Sequence, residues 1–486
     1  MVETRGPESS GRMCGQVGFK TDAAPQRSRL ARQGKIVTEL PKSLKNIDAR
    51  KSYAHFDQRI SLRSCLDKVS NPSFVEKYSF YPVIQKDQRR MKWEDGRCKS
   101  KPRPICYAAH MDRCIYQYYG ALLNDRYNDL ALARGIDDAS IAYRANHPGM
   151  SNCEYAEKAF SRMRQYEECF VCTGDFRSFF ETLDHRCLKR NMRQLFSGGM
   201  IPDDFYHVLK ASTRYSVCDI RDLLAYHQLP FSRAGVDRLN RRNRILEPLE
   251  LRQQANRLFK SPWKENGGQG IPQGLPLSGV LANIYMIDFD KVMADAAKSA
   301  DGLYMRYSDD FILVVPSYEG FQTLLQTLRE QVLQLPTLTL HPEKTKLYHC
   351  SEGSVKRLSE DFSLAEEGNC TITYLGFTFN GREVRLRQST IGRFYRKTYK
   401  RVKKAFRYER PSKKRVNQLY IDTSDWGRYP KRNSRIRARC EREKGRGNFL
   451  SYANRAAKVF PGDPILRDTR RHKRKIRARS RRFSGR

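Results

Sequence analysis

The chain has 486 residues, with 92 Lys+Arg against 53 Asp+Glu and a formal net charge of +39. Its 39% hydrophobic and 11% aromatic content excludes a wholly disordered chain, and the length suits about three domains at roughly 150 residues each. An excess of positive charge this large points to a polyanionic partner, nucleic acid before an anionic membrane surface. No apolar run approaches the ~20 residues that span a bilayer, so no membrane association is expected.

The first 40 residues are polar, lack an apolar leader core and read as a disordered lead-in. Thirteen cysteines are scattered, odd in number and set mostly among apolar neighbours, with Cys169 and Cys172 the one C-x-x-C pair. They read as reduced core thiols of a cytoplasmic protein rather than a zinc site.

From about 41 to 382 helical and strand signals alternate. Residues 115–123 have helical apolar spacing, and Asn124-Asp125 could end that helix. Residues 166–173 and 304–315 are short, β-rich and apolar, as buried strands are. Residues 279–289 suit one mostly buried helix. Beyond 382 the pattern changes: Ile391, Phe394, Tyr395, Tyr399, Val402 and Phe406 recur every three or four residues among lysines and arginines. That helix should stop before Pro411, and 449–460 repeats the pattern. From 391 onward 34 Lys+Arg face 7 Asp+Glu, which places +27 of the net charge there. Residues 467–486, with 11 Lys+Arg, read as a tail unfolded until it meets phosphate.

Three segments carry chemistry. In GDFRSFFETLDH (174–185), Asp175 follows an apolar strand and opens a helical turn. In GIPQGLPLS (270–278), Gly270, Pro272 and Gly274 allow a backbone turn close to a nucleotide, and Gln273 can hydrogen-bond a base or ribose edge. In RYSDDF (306–311), Asp309 and Asp310 interrupt a dense apolar stretch, where unpaired burial would cost several kcal/mol each. A tight hairpin turn resolves that cost by bringing both to a cation. If the Asp175 strand is a neighbour, three carboxylates crowd one spot, and hard oxygen donors favour Mg²⁺. Two Mg²⁺ ions about 3.5–4 Å apart would activate a 3′-hydroxyl and neutralise a leaving pyrophosphate, which is nucleotidyl transfer. Read singly, Asp175 is equally a helix N-cap or ion-pair partner, and 270–278 an ordinary turn before a core helix.

In this order the segments resemble the blocks of reverse transcriptases. LTLHPEKTKLY (338–348) is similar to the family's next block, TYLGFTFNG (373–381) to its primer-grip block, and RPICYAAHMDRCIYQYY (103–119) with SIAYRAN (140–146) to its fingers blocks. The resemblance implies an α+β right-hand polymerase: fingers and palm over 41–382, with an antiparallel palm sheet, an α-helical basic thumb over 383–466, and the basic tail. It implies Asp175, Asp309 and Asp310 as catalytic metal ligands with the Phe176 carbonyl, and a two-ion Mg²⁺ cofactor. It further implies Phe180 as a gate against the ribose 2′-hydroxyl, and Gln273 and Gly274 as dNTP and template contacts. Lys344 becomes a proton donor to pyrophosphate, Arg103 a triphosphate contact for which Arg113 could substitute, and Tyr307, Leu375 and Gly376 primer or template contacts. On bland readings Phe180 is core and Lys344 a solvated charge.

Ser278 is followed by Gly279 where many relatives read Ser-Pro, which weakens the intron and retron branches. About 105 residues after Gly381 leave room for a thumb and tail but no ribonuclease H domain. RYSDDF together with VRLRQSTIGRFYRK (384–397) and GNFLSYANRAAKVF (447–460) is most similar to the Abi-like and other defence-associated bacterial enzymes. That implies antiphage defence, an RNA template or dedicated noncoding RNA, a DNA product, dNTP substrates, and a partner protein from the same locus. An intron maturase acting through RNA binding and an untemplated DNA polymerase are the competing expectations.

Overall fold

The computed structural model describes residues 40–94, 97–365, 368–406, 412–423 and 449–483, so the lead-in lies outside the described residues up to 39. Eleven strands among them build three sheets. The largest joins β3 (Glu168–Asp175), β5 (Leu303–Tyr307), β6 (Asp310–Val315), β7 (Lys346–Ser351) and β8 (Ser354–Leu358) in the antiparallel order β5-β6-β3-β7-β8. A second sheet sets the long ribbon of β1 (Val83–Glu94) and β2 (Arg97–Tyr107) beside β4 (Val217–Asp219), which runs parallel to β1. The third is a small meander of β9 (Ile372–Tyr374), β10 (Phe377–Phe379) and β11 (Val384–Leu386).

The apolar runs read as buried strands form β3, β6 and the edge strand β5 of the five-stranded sheet, which is covered on both faces. Successive side chains point to opposite faces of a strand, and the two cores divide accordingly. Phe170 and Cys172 of β3 join Phe311, Leu313 and Val315 of β6 in one core. Cys169, Val171, Ile312 and Val314 join the other. Nine of the cysteines are buried free thiols, and burial pushes Cys172 up to about 12.

Helices α1 (His110–Ala133), α2 (Asn152–Gln165), α3 (Ser278–Tyr285), α4 (Ile287–Ser299) and α5 (Tyr318–Leu333) cover the sheets. Two boundaries differ from those expected. Helix α1 does not end at Asn124-Asp125: the Asn124 amide is spent on the Tyr143 carbonyl at 2.7 Å, and Tyr127 and Ala131 continue the buried face. The single helix expected over 279–289 is two, broken at Met286, whose φ/ψ of −94°/6° is not helical.

Beyond the meander lie α6 (Gln388–Ala405), α7 (Lys413–Thr423), α8 (Phe449–Val459) and α9 (His472–Arg481). No break in packing separates α8 from the main sheet. Ala453, Ala456 and Phe460 share the core of Phe160, Phe377 and Phe379. The tail also differs from expectation. Residues 472–481 are helical because Ile476 buries itself among Val402, Phe406, Val416 and Leu419. Phe483 packs on the same cluster and the buried His472 ring lies against Phe394, Tyr395 and Tyr420, so Ile476, whose full burial is worth about 1.5–3 kcal/mol, does not dock the helix alone. Among the described residues no helix is long and apolar enough to cross a membrane.

Candidate active site

Asp175 is the last residue of β3 and Asp310 the first of β6, and the two stand opposite each other in the antiparallel register. The preceding pair is Gly174 with Phe311. A Cβ on Gly174 would lie 2.1 Å from the Phe311 ring, so glycine is what lets that ring cross β3 and seat the aspartate pair. Strands β5 and β6 are joined by two residues, Ser308 and Asp309, because Tyr307 pairs directly with Asp310. Ser308 adopts φ +64°, the left-handed conformation that a two-residue hairpin with the strands' natural twist demands.

Backbone bonds gather the neighbouring segments. The Phe176 N–H donates to the Asp309 carbonyl at 3.1 Å, and the His341 N–H donates to the Asp175 carbonyl at 2.8 Å. The strand end, the hairpin turn and the loop before β7 therefore form one rigid junction. Lys344, on that loop, sets its ammonium on the Asp175 carboxylate.

The electrostatics record the crowding. Desolvation by the surrounding protein, then the charges of Asp309 and Asp175, push Asp310, itself exposed at the start of β6, up to about 7. Asp309 is raised as well, by burial and by Asp175. Mutual repulsion of this kind is what a divalent cation relieves, and carboxylates are the hard donors that Mg²⁺ takes. Among the described residues, however, no three acidic, histidine or cysteine side chains are already drawn around one point, and the Lys344 ammonium supplies the positive charge. The donors fit the ion in kind, and Asp310 already lies within hydrogen-bond reach of Asp175.

Two cavities meet at this junction. The first, about 620 Å³, is lined by Arg103, Phe176, Phe180, Gln273, Asp309 and Lys344 among others. The second, about 680 Å³, is lined by Tyr307, Asp310, Lys344, Leu375, Gly376 and Arg387 among others. Asp175 lines both. Eleven of the twelve residues singled out from the sequence thus border one of two adjoining spaces. Gly274 is the exception: at φ +118° it presses on β2, where a Cβ would lie 2.5 Å from the Cys106 carbonyl oxygen. Its neighbour Gln273 accepts the Cys106 N–H at 2.8 Å, which fastens the 270–278 loop to the ribbon. Arg113 cannot stand in for Arg103. It is buried in α1, bonded to Gln117 and the Ile60 carbonyl.

Sequence reasoning missed the support beneath the turn. Arg306 and Asp290 are both fully buried and joined at 2.8 and 2.6 Å by two parallel bonds. A third guanidinium nitrogen donates to the Ser308 carbonyl at 2.9 Å, and the Tyr143 hydroxyl meets Ser308 Oγ at 3.1 Å. Arg306 stood inside an apolar strand and Asp290 on an apolar helix face, and a charge in such a place was the signal that each needed a partner.

Comparison with known proteins agrees with the motif content. Residues 249–379 match the family described as reverse transcriptase (RNA-dependent DNA polymerase). That span takes in Gln273, Asp309, Asp310, Lys344, Leu375 and Gly376 but begins beyond Asp175. A 61-residue stretch is 43% identical to the telomerase reverse transcriptase of Mus musculus, covering 12% of this chain and 5% of that protein. The structure of apo telomerase from Candida tropicalis aligns over 90% of this chain and 71% of its own at 12% identity, with a TM-score of 0.42. A form of it truncated from the C-terminal domain aligns over 68% and 61% at 14% identity, with a TM-score of 0.40. The chain thus spans a small fraction of the length of the curated relative it matches.

Proposed function

We propose that this chain, which carries a reverse transcriptase domain over residues 249–379, is an RNA-directed DNA polymerase that transfers nucleotides from dNTPs to a 3′-hydroxyl. The observation that carries the reading is the meeting of Asp175 with Asp309 and Asp310 where two cavities join. On this reading the first cavity takes the incoming dNTP. Arg103 and Lys344 face its triphosphate, Gln273 its base or sugar edge, and Phe180 excludes a 2′-hydroxyl. The second takes the primer end, against Tyr307, Leu375 and Gly376. Asp175, Asp309 and Asp310, with the Phe176 carbonyl, would hold Mg²⁺, which lowers the pKa of the attacking hydroxyl and neutralises the leaving pyrophosphate. The main sheet and the ribbon would be palm and fingers, and α6, α7 and α9 the thumb.

The RNA template, a dedicated noncoding RNA, a partner protein, cytoplasmic location and antiphage defence belong to the same proposal: the template is supported by the motifs and the matched family, the location by the scattered reduced cysteines, and the rest by the motif resemblance alone. The test is synthesis by purified protein with dNTPs, Mg²⁺ and a primed RNA. DNA copied from the template is expected, and none from the Asp309→Ala, Asp310→Ala double variant. Equal synthesis by that variant overturns the reading, while homopolymeric product would select untemplated synthesis.

A further inference from the structure

The β9–β10 hairpin closes with two residues, Leu375 and Gly376, because Tyr374 pairs directly with Phe377. Their φ angles are +44° and +93°, so both are left-handed, as the tightest hairpin turn requires. Glycine adopts that conformation freely. A leucine held there costs on the order of 1–3 kcal/mol and stays only when its surroundings fix it.

The fixing comes from far along the chain. Asn152 Nδ2 donates one proton to the Leu375 carbonyl at 2.9 Å and approaches the Tyr452 hydroxyl at 2.8 Å. Asn152 opens α2, and a capping box of Ser151 and Glu154 fixes its backbone. Tyr452 stands on α8 with its ring 6.0 Å from that of Phe377 and 6.1 Å from that of Phe449. An amide has one donating and one accepting end. The Leu375 carbonyl, an acceptor only, fixes which end of the amide faces it, and the Tyr452 hydroxyl holds that nitrogen in place from the other side. Without that hydroxyl the amide keeps one restraint where it had two, and the bond to Leu375 is held less firmly. On the other side of the turn the Arg387 N–H donates to the Gly376 carbonyl at 3.0 Å.

We infer that Tyr452, acting through the Asn152 amide, is a positioning residue that holds the Leu375-Gly376 turn in the wall of the cavity beside Asp310. What the turn then contacts, the sugar–phosphate of a primer strand, rests on the polymerase reading. The conformation of the turn does not. Helix α8 therefore completes the site although none of its residues lines either cavity.

Tyr452→Phe keeps the ring and removes only the hydroxyl, and Asn152→Ala removes the amide. Two readouts are taken on the full chain, with thermal melting as a check that each variant remains folded. Amide hydrogen exchange should quicken at Arg387 and through the turn by about 3–10-fold, the equivalent of one lost hydrogen bond. In the polymerase assay KM for the primer–template should rise by a similar factor, well beyond any fall in kcat, with KM for dNTP unmoved. Because the two residues act in series, the double variant should match Asn152→Ala alone. Unchanged exchange in Tyr452→Phe overturns the inference, as does a dNTP KM that shifts as much as that of the primer. If exchange responds while wild-type protein makes no DNA, the polymerase reading falls and the positioning role stands.

Discussion

Asp175 and Asp310 face each other as the last pair in the β3–β6 register, and the stability of the protein should carry the desolvation of Asp310 and its repulsion by Asp309 and Asp175 as a pH dependence. Asp310 is raised to about 7, above the ordinary carboxylate value of 3.8, so the folded chain keeps this proton longer than the unfolded chain does. The group's contribution to stability is therefore full below pH 4 and is lost as the pH rises through about 7. In chelator-treated protein, Asp310→Asn should melt close to wild type at pH 4 and clearly above it at pH 8. Added Mg²⁺ should narrow the gap at pH 8. A gap that widens toward acid would contradict the assignment.

Beneath the turn, Asp290→Asn leaves the Arg306 guanidinium buried without its counter-charge. Removing one partner of a buried pair costs about 3–5 kcal/mol. A large loss of denaturation midpoint is expected, together with loss of the fixed Ser308 carbonyl. Arg306→Lys should keep the charge but not the two parallel bonds, and should fall between wild type and Asp290→Asn. If Asp290→Asn melts like wild type, the buried pair is not what holds the turn.

Phe180 is half-buried against Phe179 and lines the first cavity, so shortening it enlarges that cavity without emptying the core. On the polymerase reading, Phe180→Ala should raise kcat/KM for rNTPs relative to dNTPs by about tenfold or more, equivalent to about 1.4 kcal/mol. An unaltered ratio would mean that this side chain is packing only.

The folded tail changes how its role must be tested. Deleting residues after Leu466 would remove Ile476 from its apolar cluster and destabilise α6 and α7 along with the charge. Charge alone is removed by changing Arg474, Arg477 and Arg481, all exposed on α9, to glutamine. Each phosphate contact contributes roughly 0.7–0.9 to the salt slope of binding. The triple variant should therefore bind nucleic acid with a slope shallower by about 2–3 at unchanged melting temperature. An identical slope would place these arginines away from the phosphates.

The sequence by itself determined the elements whose signals are local. Continuous apolar, β-rich runs specified β3 and β6, and two aspartates too costly to bury alone required a hairpin turn between β5 and β6. Uneven basic charge marked the helices after the meander. The order of the motifs pointed to the family that 249–379 matches. Tertiary structure decided what depends on residues distant in the chain. Nothing near Asn124 shows that its amide will reach Tyr143 and leave α1 free to run on. Nothing near residue 476 says that Ile476 will find a cluster some 60–70 residues earlier and help fold the tail. The bonds from Arg306 to Asp290 and from Tyr452 through Asn152 to Leu375 have the same character. A hydrogen bond or ion pair between remote residues leaves no periodicity in the sequence, because its energy exists only once the fold has brought the partners together.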